Sequence, residues 1–157
     1  MKNRIVLFLI FLSGNVLFAQ NNTGVSLFLR SDSSHYLNEV HSETGDLIEE
    51  LGHHGPAIEN EWLALRMYFG PKAVIDLYSK SKPGLELLAE RWYTDSIQRN
   101  TGWGADYYMV GNTVGLGGVL LWDGEKINVL DPVSERIARV KKEHNQSYME
   151  MLSKDIP

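Results

Sequence analysis

Two runs of strictly alternating apolar and polar residues occupy the middle of the chain, WLALRMYF at 62–69 and AVIDLYSK at 73–80. A period of two indicates β-strands, because successive side chains of a strand point to opposite faces of a sheet. Gly-Pro-Lys at 70–72 is a turn sequence between them. The sequence therefore predicts an antiparallel hairpin over 62–80, and with it a fold built around antiparallel strands.

The length of the turn also predicts the register of this hairpin. A three-residue loop aligns apolar with apolar and polar with polar positions, whereas a two-residue loop would mix them. The expected pairs are Phe69–Ala73, Met67–Ile75, Leu65–Leu77, Arg66–Asp76 and Ala64–Tyr78. We expect the apolar face to be core and the other face to be exposed, carrying Trp62, Arg66, Tyr68, Asp76, Tyr78 and Lys80.

The remaining segments add strands and one expected helix. Residues 24–30 and 106–110 favour short strands, and VLLW and INVL flank a turn at 123–126, so that Trp122 should face Ile127 and Leu120 should face Val129. Residues 82–100 favour irregular or extended structure. In the tail, spacings of three or four predict an amphipathic helix with Ser134 as its N-cap; its apolar positions are Ile137, Val140, His144, Tyr148 and Met151.

Together these elements predict a mainly β fold, an antiparallel β-sandwich or part of one, with a possible C-terminal helix. We divide the chain into a signal peptide at 1–19, a loop-rich segment at 20–52, a β domain at 53–133 and a helical or divergent tail at 134–157.

The first residues favour export. Basic Lys2 and Arg4 precede an apolar stretch, 5–12, that is too short to span a bilayer, and Ala19 suits a signal-peptidase site. We expect a secreted or periplasmic protein; the alternative is an uncleaved anchor or a buried helix. Without residues 1–19, 13 basic residues remain against 20 acidic ones, a formal net charge of −7. This charge disfavours nucleic acid and anionic membranes as partners.

The chain has no cysteine, which excludes disulfides, Cys–Zn sites and thiol nucleophiles. The stretch HHGPAIENEW at 53–62 suits acid–base chemistry by His54 and Glu59, or else is a polar turn leading into a strand. Adjacent histidines in extended chain point apart, so we predict no metal site and no cofactor there, while a divalent metal stays open.

The polar face of the hairpin has two interpretations. Its aromatic rings could stack on sugars while Arg66 and Asp76 bind hydroxyls or carboxylates. Alternatively, a second packed layer covers it and Arg66–Asp76 is a cross-strand ion pair.

The motifs ENEWLALRMYFGP, AVIDLYSK, the pair Trp92-Tyr93 and TGWGADYYMVGNTVGLGGVLLWDGEKI occur in an order that resembles the DUF4861 family. The resemblance implies exported proteins typical of polysaccharide-degrading Bacteroidota, a mutarotase-like β-sandwich, and dehydratase or lyase chemistry on algal, ulvan-type oligosaccharides. Members of that family are usually longer. We therefore expect a truncated member that is inactive by itself and self-associates through open sheet edges.

The candidate site residues follow from polarity and from their place in these motifs. The catalytic candidates are His54, Glu59, Arg66 and Tyr108, with His54 or Tyr108 as the base and Arg66 stabilising negative charge. The oligosaccharide-binding candidates are Trp62, Tyr68, Asp76, Tyr78 and Asp106. The alternative function is a non-catalytic carbohydrate-binding β-sandwich module that uses the same face.

Overall fold

Antiparallel strands make up most of the computed structural model, which describes residues 22–71, 73–88, 92–108, 116–118, 120–128 and 133–155. Within these ranges the chain forms twelve strands, one short helix and one 3-10 turn. The strands are β1 (Thr23–Ser26), β2 (Phe28–Leu29), β3 (Asp32–Tyr36), β4 (Glu39–Ser42), β5 (Ala57–Asn60), β6 (Leu63–Met67), β7 (Ile75–Ser79), β8 (Ala105–Asp106), β9 (Leu121–Trp122), β10 (Ile127–Asn128), β11 (Glu135–Glu143) and β12 (Gln146–Lys154). The helix α1 spans Ser96–Asn100, and the 3-10 turn at Gly52–His54 is called the histidine turn below. The mainly β prediction is confirmed.

The central sheet has the strand order β1-β5-β6-β7-β8, and all its neighbours are antiparallel. The predicted hairpin forms its middle, and the predicted register is confirmed along the β6–β7 ladder. The observed pairs include Ala64–Tyr78, Leu65–Leu77, Arg66–Asp76 and Met67–Ile75. The expected Phe69–Ala73 pair lies beyond the end of this ladder. The predicted facing of Trp122 and Ile127 in β9–β10 is also confirmed, whereas Val129 lies outside the described residues.

The expectation that the polar face of the hairpin is exposed is wrong. Arg66 and Asp76 are both 0% exposed, and Tyr78 is 2% exposed, whereas the apolar face is only half-buried at Leu65 and Met67. A stretch of chain folds over the polar face, and we call residues 84–88 and 92–95 the cover segment. Leu87 and Trp92 of the cover segment pack on Ala57, Ala64 and the Tyr78 ring of the central sheet. Of the two interpretations of the polar face, the second packed layer is therefore correct.

A second core joins the central sheet to a three-stranded sheet of order β12-β11-β4. Ala138 and Val140 of β11 pack with Leu27, Leu51 and Phe69, and β11 and β12 contact β1. The half-buried Val25 of β1 packs against this core, while the cover segment buries the polar side of the central sheet.

The prediction of a C-terminal helix is wrong, because β11 and β12 form a hairpin with a two-residue turn between Glu143 and Gln146. Burial along β11 alternates, with Arg136, Ala138 and Val140 buried. The buried Arg136 guanidinium donates at 2.5 Å to two loop carbonyls, those of residues 45 and 70. The backbone of β4 supplies hydrogen-bond partners for β11 that the tail itself does not contain. These hydrogen bonds favour a strand over a helix in this segment.

Two other segments differ from expectation. The stretch expected to be irregular contains α1, which begins at a capping box in which Asp95 and Gln98 exchange hydrogen bonds at 2.8 Å. The loop-rich N-terminal segment contains the short strands β1–β4.

Candidate functional site

The hairpin of β2 and β3 is called the first hairpin below. A cavity of about 650 Å³ lies between this first hairpin, the histidine turn and the cover segment. Aromatic rings form much of its wall, namely Phe28, Tyr36, Trp92 and Tyr93. Polar side chains that can recognise or transform a ligand also line it, namely Arg30, His53, His54 and Gln98. Aromatic walls with a few polar groups are typical of small-molecule sites.

The histidine turn owes its shape to unusual backbone angles. His53 and His54 both lie in the left-handed region, with φ of 55° and 60°. Gly55 follows with φ of 155°, and a Cβ there would lie 1.9 Å from the Met67 carbonyl oxygen, so only glycine fits. A left-handed residue other than glycine costs roughly 1–3 kcal/mol, and such strain concentrates at functional sites. The expectation that the two histidines lie in extended chain is therefore wrong.

The Ile48 carbonyl favours one tautomer of His54. Its Nδ1 lies 2.8 Å from the Ile48 carbonyl oxygen, which can only accept, so Nδ1 holds the ring proton. Nε2 is then the acceptor. The Arg30 Nη2 lies 3.0 Å from Nε2 and 2.8 Å from Nδ1, so this guanidinium lies against both ring nitrogens. The ring also stacks on Tyr68 with centroids 5.9 Å apart. His54 therefore presents one lone pair, shared with a cation, at the cavity.

His53 is buried, and its Nε2 has no hydrogen-bond partner among the described residues. The Phe28 ring meets it edge-on at 5.3 Å. Burial lowers the pKa of His53 to about 4, and the nearby charge of Arg66 acts in the same direction. His53 is therefore neutral at pH 7 and supplies a polar, uncharged nitrogen to the wall.

Beneath the cavity, Arg66 is a fully buried cation. Its Nη2 and Nε donate to Asp76 at 2.6 and 3.1 Å, and its Nη1 donates to the His53 carbonyl at 3.3 Å. Its guanidinium carbon lies 4.4 Å from the centroids of the Tyr68 and Trp92 rings. A buried charge needs such compensation, because desolvation without a partner costs several kcal/mol.

The same cation reaches the cavity wall. Nη2 of Arg66 donates to the Tyr93 hydroxyl at 2.8 Å and lies 3.4 Å from Asp106. Asp106 also accepts from the Trp92 indole at 3.2 Å. Burial raises the pKa of Asp106, and repulsion by the Asp76 carboxylate raises it further. Burial likewise raises the pKa of Tyr68, so that hydroxyl stays protonated.

Glu59 lies in a different buried network. Its carboxylate forms an ion pair with Lys80 at 2.5 Å and accepts from the backbone amides of Glu86 at 2.7 Å and Leu87 at 3.1 Å. Glu86 in turn accepts from the Tyr78 hydroxyl at 2.6 Å. Glu59 and Tyr78 therefore anchor the cover segment to the sheet, and neither lines the cavity.

The chain matches a family model described as "Domain of unknown function (DUF4861)" over residues 19–147. The protein belongs to the DUF4861 family. The matched range includes the histidine turn, the central sheet and the cover segment. No curated protein and no solved structure matches the chain.

The DUF4861 site unites only some of the residues selected from sequence. His54 lines the cavity, Tyr68 stacks on it, and Arg66, Asp76 and Asp106 form the charged cluster beneath. Trp62 and Tyr108 are 57% and 46% exposed and do not line it.

Sequence reasoning missed part of the wall, including Arg30, Tyr36 and Tyr93. The pair Trp92-Tyr93 was part of the family pattern, and that was the signal available for Tyr93; Arg30 and Tyr36 carried none. Among the described residues, no three acidic or histidine side chains come together as a metal site.

Proposed function

We propose, in place of the expectation that the chain is inactive by itself, that this DUF4861 protein is carbohydrate-active. It binds an oligosaccharide in the cavity and carries out a dehydratase or lyase reaction on algal, ulvan-type chains. The observation that carries the proposal is a cavity of about 650 Å³ in which aromatic rings stand beside Arg30 and His54. Aromatic rings stack on the apolar faces of sugars, and arginine pairs with carboxylates in two-pronged geometry. The volume lies within the range of ordinary ligand sites.

The chemistry of elimination fits the polar groups. A base removes the proton from the carbon next to a sugar carboxylate, a cation stabilises the negative charge that develops, and an oxygen leaves from the neighbouring carbon. His54 Nε2 is the base in this proposal. Arg30 holds the carboxylate, rather than Arg66, because Arg66 is fully buried and already paired with Asp76.

Substrate binding would itself prepare the base. In the free protein, the Arg30 Nη2 lies 3.0 Å from His54 Nε2, where it blocks the lone pair that must accept the proton. A carboxylate that binds Arg30 competes for the guanidinium and releases this nitrogen. The acidic sugar thus activates the base that acts on it.

A non-catalytic carbohydrate-binding module is the second candidate. Two observations favour it: Glu59 and Tyr108, both selected as catalytic, do not line the cavity, and Arg30 occupies the His54 lone pair. A module needs the aromatic wall and Arg30 but no free base.

Mass spectrometry of uronate-containing ulvan oligosaccharides incubated with the purified protein tests both functions. Loss of one water indicates dehydration, and cleavage with an unsaturated end indicates a lyase; His54→Gln should abolish either one. His41→Gln is the matched control, because His41 lies on β4, away from the cavity. Binding in calorimetry without any change of mass would leave the module, and neither binding nor product would refute the proposal.

We also propose export to the periplasm or the medium. The basic residues and the short apolar stretch at the N-terminus support it. N-terminal sequencing of the exported protein should begin at Gln20 or Asn21, and an intact Met1 in the membrane pellet would contradict it. Within the described residues, no helix is long and apolar enough to cross a membrane.

A further inference from the structure

Tyr93 connects the buried charge cluster to the cavity. Its ring lines the cavity and the residue is 57% exposed, while its hydroxyl contacts a guanidinium that is 0% exposed. Its ring centroid lies 6.2 Å from that of His54. The two side chains are therefore close enough to act on neighbouring carbons of one sugar ring.

The direction of the Arg66–Tyr93 hydrogen bond makes the Tyr93 oxygen an acceptor. A guanidinium has only donors, so the Tyr93 oxygen must be the acceptor at 2.8 Å. The Tyr68 and Tyr93 hydroxyls also share a hydrogen bond. When Tyr68 is its donor, the O–H of Tyr93 can point to a ligand oxygen. When that proton leaves, the bonded cation stabilises the charge that builds up on the oxygen, and the low-dielectric surroundings strengthen this effect.

The other tyrosines near the site suit this task less well. Tyr68 also contacts Arg66, but its hydroxyl lies 3.3 Å from Asp76, an acceptor for its proton, and burial raises its pKa. Tyr36 lines the cavity, but its ring packs edge-on against Phe28 rather than beside Arg66, and Tyr108 does not line the cavity. Asp76 and Asp106 balance the charge of Arg66, so the cation beside the Tyr93 oxygen is compensated within the buried cluster.

We infer that Tyr93 is the catalytic proton donor of this site and that Arg66 is its positioning residue. This inference rests on the elimination proposed above. The His54 Nε2 lone pair takes the carbon-bound proton, the electrons of that C–H bond form the carbon–carbon double bond, and the neighbouring C–O bond breaks. The leaving oxygen takes the proton of Tyr93, as water in a dehydration or as a sugar hydroxyl in a cleavage. Transfer of the proton from His54 to the Tyr93 phenolate, through solvent, restores both groups.

Tyr93→Phe tests this role, because it removes the hydroxyl and keeps the ring in the wall. We expect kcat to fall about 10²- to 10⁴-fold, the range of general acid catalysis, while KM changes less than about threefold. Tyr107→Phe is the matched control: it is the same change at an exposed tyrosine outside the cavity, and it should leave both constants unchanged. Circular dichroism and thermal unfolding of each variant establish that it folds.

A substrate with a leaving group that needs no proton separates acid catalysis from a structural role. Such a substrate should restore most of the rate of Tyr93→Phe. Arg66→Lys keeps the charge but shortens the donor; it should lower kcat on the natural substrate more than on the activated one.

The outcomes are distinguishable. Equal losses on both substrates, or a Tyr93→Phe enzyme within about threefold of wild type, would overturn the role of Tyr93 while the elimination stands. A wild-type protein that forms no product from any oligosaccharide would overturn the proposed function, and this inference with it.

Discussion

Replacing Glu59 by glutamine should destabilise the protein and release the cover segment from the sheet. The change keeps the size of the side chain but removes its charge and converts one acceptor oxygen into an NH₂ donor. That donor must then face either the Lys80 ammonium, 2.5 Å away, or one of the backbone amides of Glu86 and Leu87. All these groups are donors, so at least one loses its partner.

The magnitude follows from burial. The side chains of Glu59 and Lys80 are 1% and 0% exposed, and removing one partner of a buried ion pair costs about 3–5 kcal/mol. Lys80 keeps its hydrogen bonds to the carbonyls of Asn60 and Gly84, which favours the lower end of that range. We expect a loss of about 3 kcal/mol. For Glu61→Gln, whose carboxylate accepts one exposed hydrogen bond, we expect less than about 0.5 kcal/mol.

Urea unfolding followed by circular dichroism measures both losses, and hydrogen exchange should show faster exchange at the amides of Glu86 and Leu87. The double variant Glu59→Gln/Lys80→Met removes the unpaired ammonium, so it should be less destabilised than the sum of the single changes by about 1–2 kcal/mol. A loss below about 1 kcal/mol for Glu59→Gln, or strict additivity in the double variant, would refute the anchoring role.

Three further predictions concern the site and its support. In urea unfolding, Gly55→Ala should destabilise the protein by about 1–3 kcal/mol more than Gly84→Ala. The two glycines have nearly the same φ, but only at Gly55 would the added Cβ collide with the Met67 carbonyl. Equal losses of stability would contradict this clash. Burial lowers the pKa of His53 in the folded protein to about 4, below its ordinary 6.5. Between these two pH values the unfolded chain therefore binds one proton more than the folded protein does. The contribution of neutral His53 to the free energy of unfolding is complete above pH 6.5 and falls by about 3 kcal/mol as the pH drops to 4. His53→Asn, which tolerates the left-handed backbone, should flatten unfolding free energy against pH in this window, and an unchanged slope would refute the assignment. Asp95→Ala should cost about 1 kcal/mol in thermal or urea unfolding through loss of the α1 cap, and no loss would show that the cap is not needed.

The hairpin and its register could be predicted from sequence because side-chain direction in a strand has a strict period of two. Once Arg66 pairs with Asp76, Leu65 must pair with Leu77, and any slip by one residue would break both matches. The family could be recognised for a related reason, since its motifs lie in consecutive segments of the chain and their order needs no tertiary information.

Which face of the hairpin is buried could not be predicted from the same pattern. A face with Arg66 and Asp76 suits solvent when each residue is judged separately. In the fold the two charges compensate each other, and Trp92 lies over the guanidinium. The desolvation cost of burying this face is therefore low. The spacing of apolar residues likewise did not predict the secondary structure of the tail. Ile137 and Val140 fit the spacing of a helix, but pairing with β4 stabilises a strand.

In the site, too, some residues could be predicted from the neighbouring sequence, whereas the contacts between distant segments could not. The Gly-Pro after two histidines marks a turn in the sequence, and His54 could be selected from that turn alone. Its partner Arg30 is 24 residues away, and Tyr93 is 27 residues from the Arg66 that holds it. No local pattern encodes such contacts, because they exist only when the cover segment and the first hairpin fold onto the same sheet. The chemistry of the cavity is therefore decided by tertiary packing, while the central hairpin β6–β7 and its register are decided by the two-residue period of the sequence.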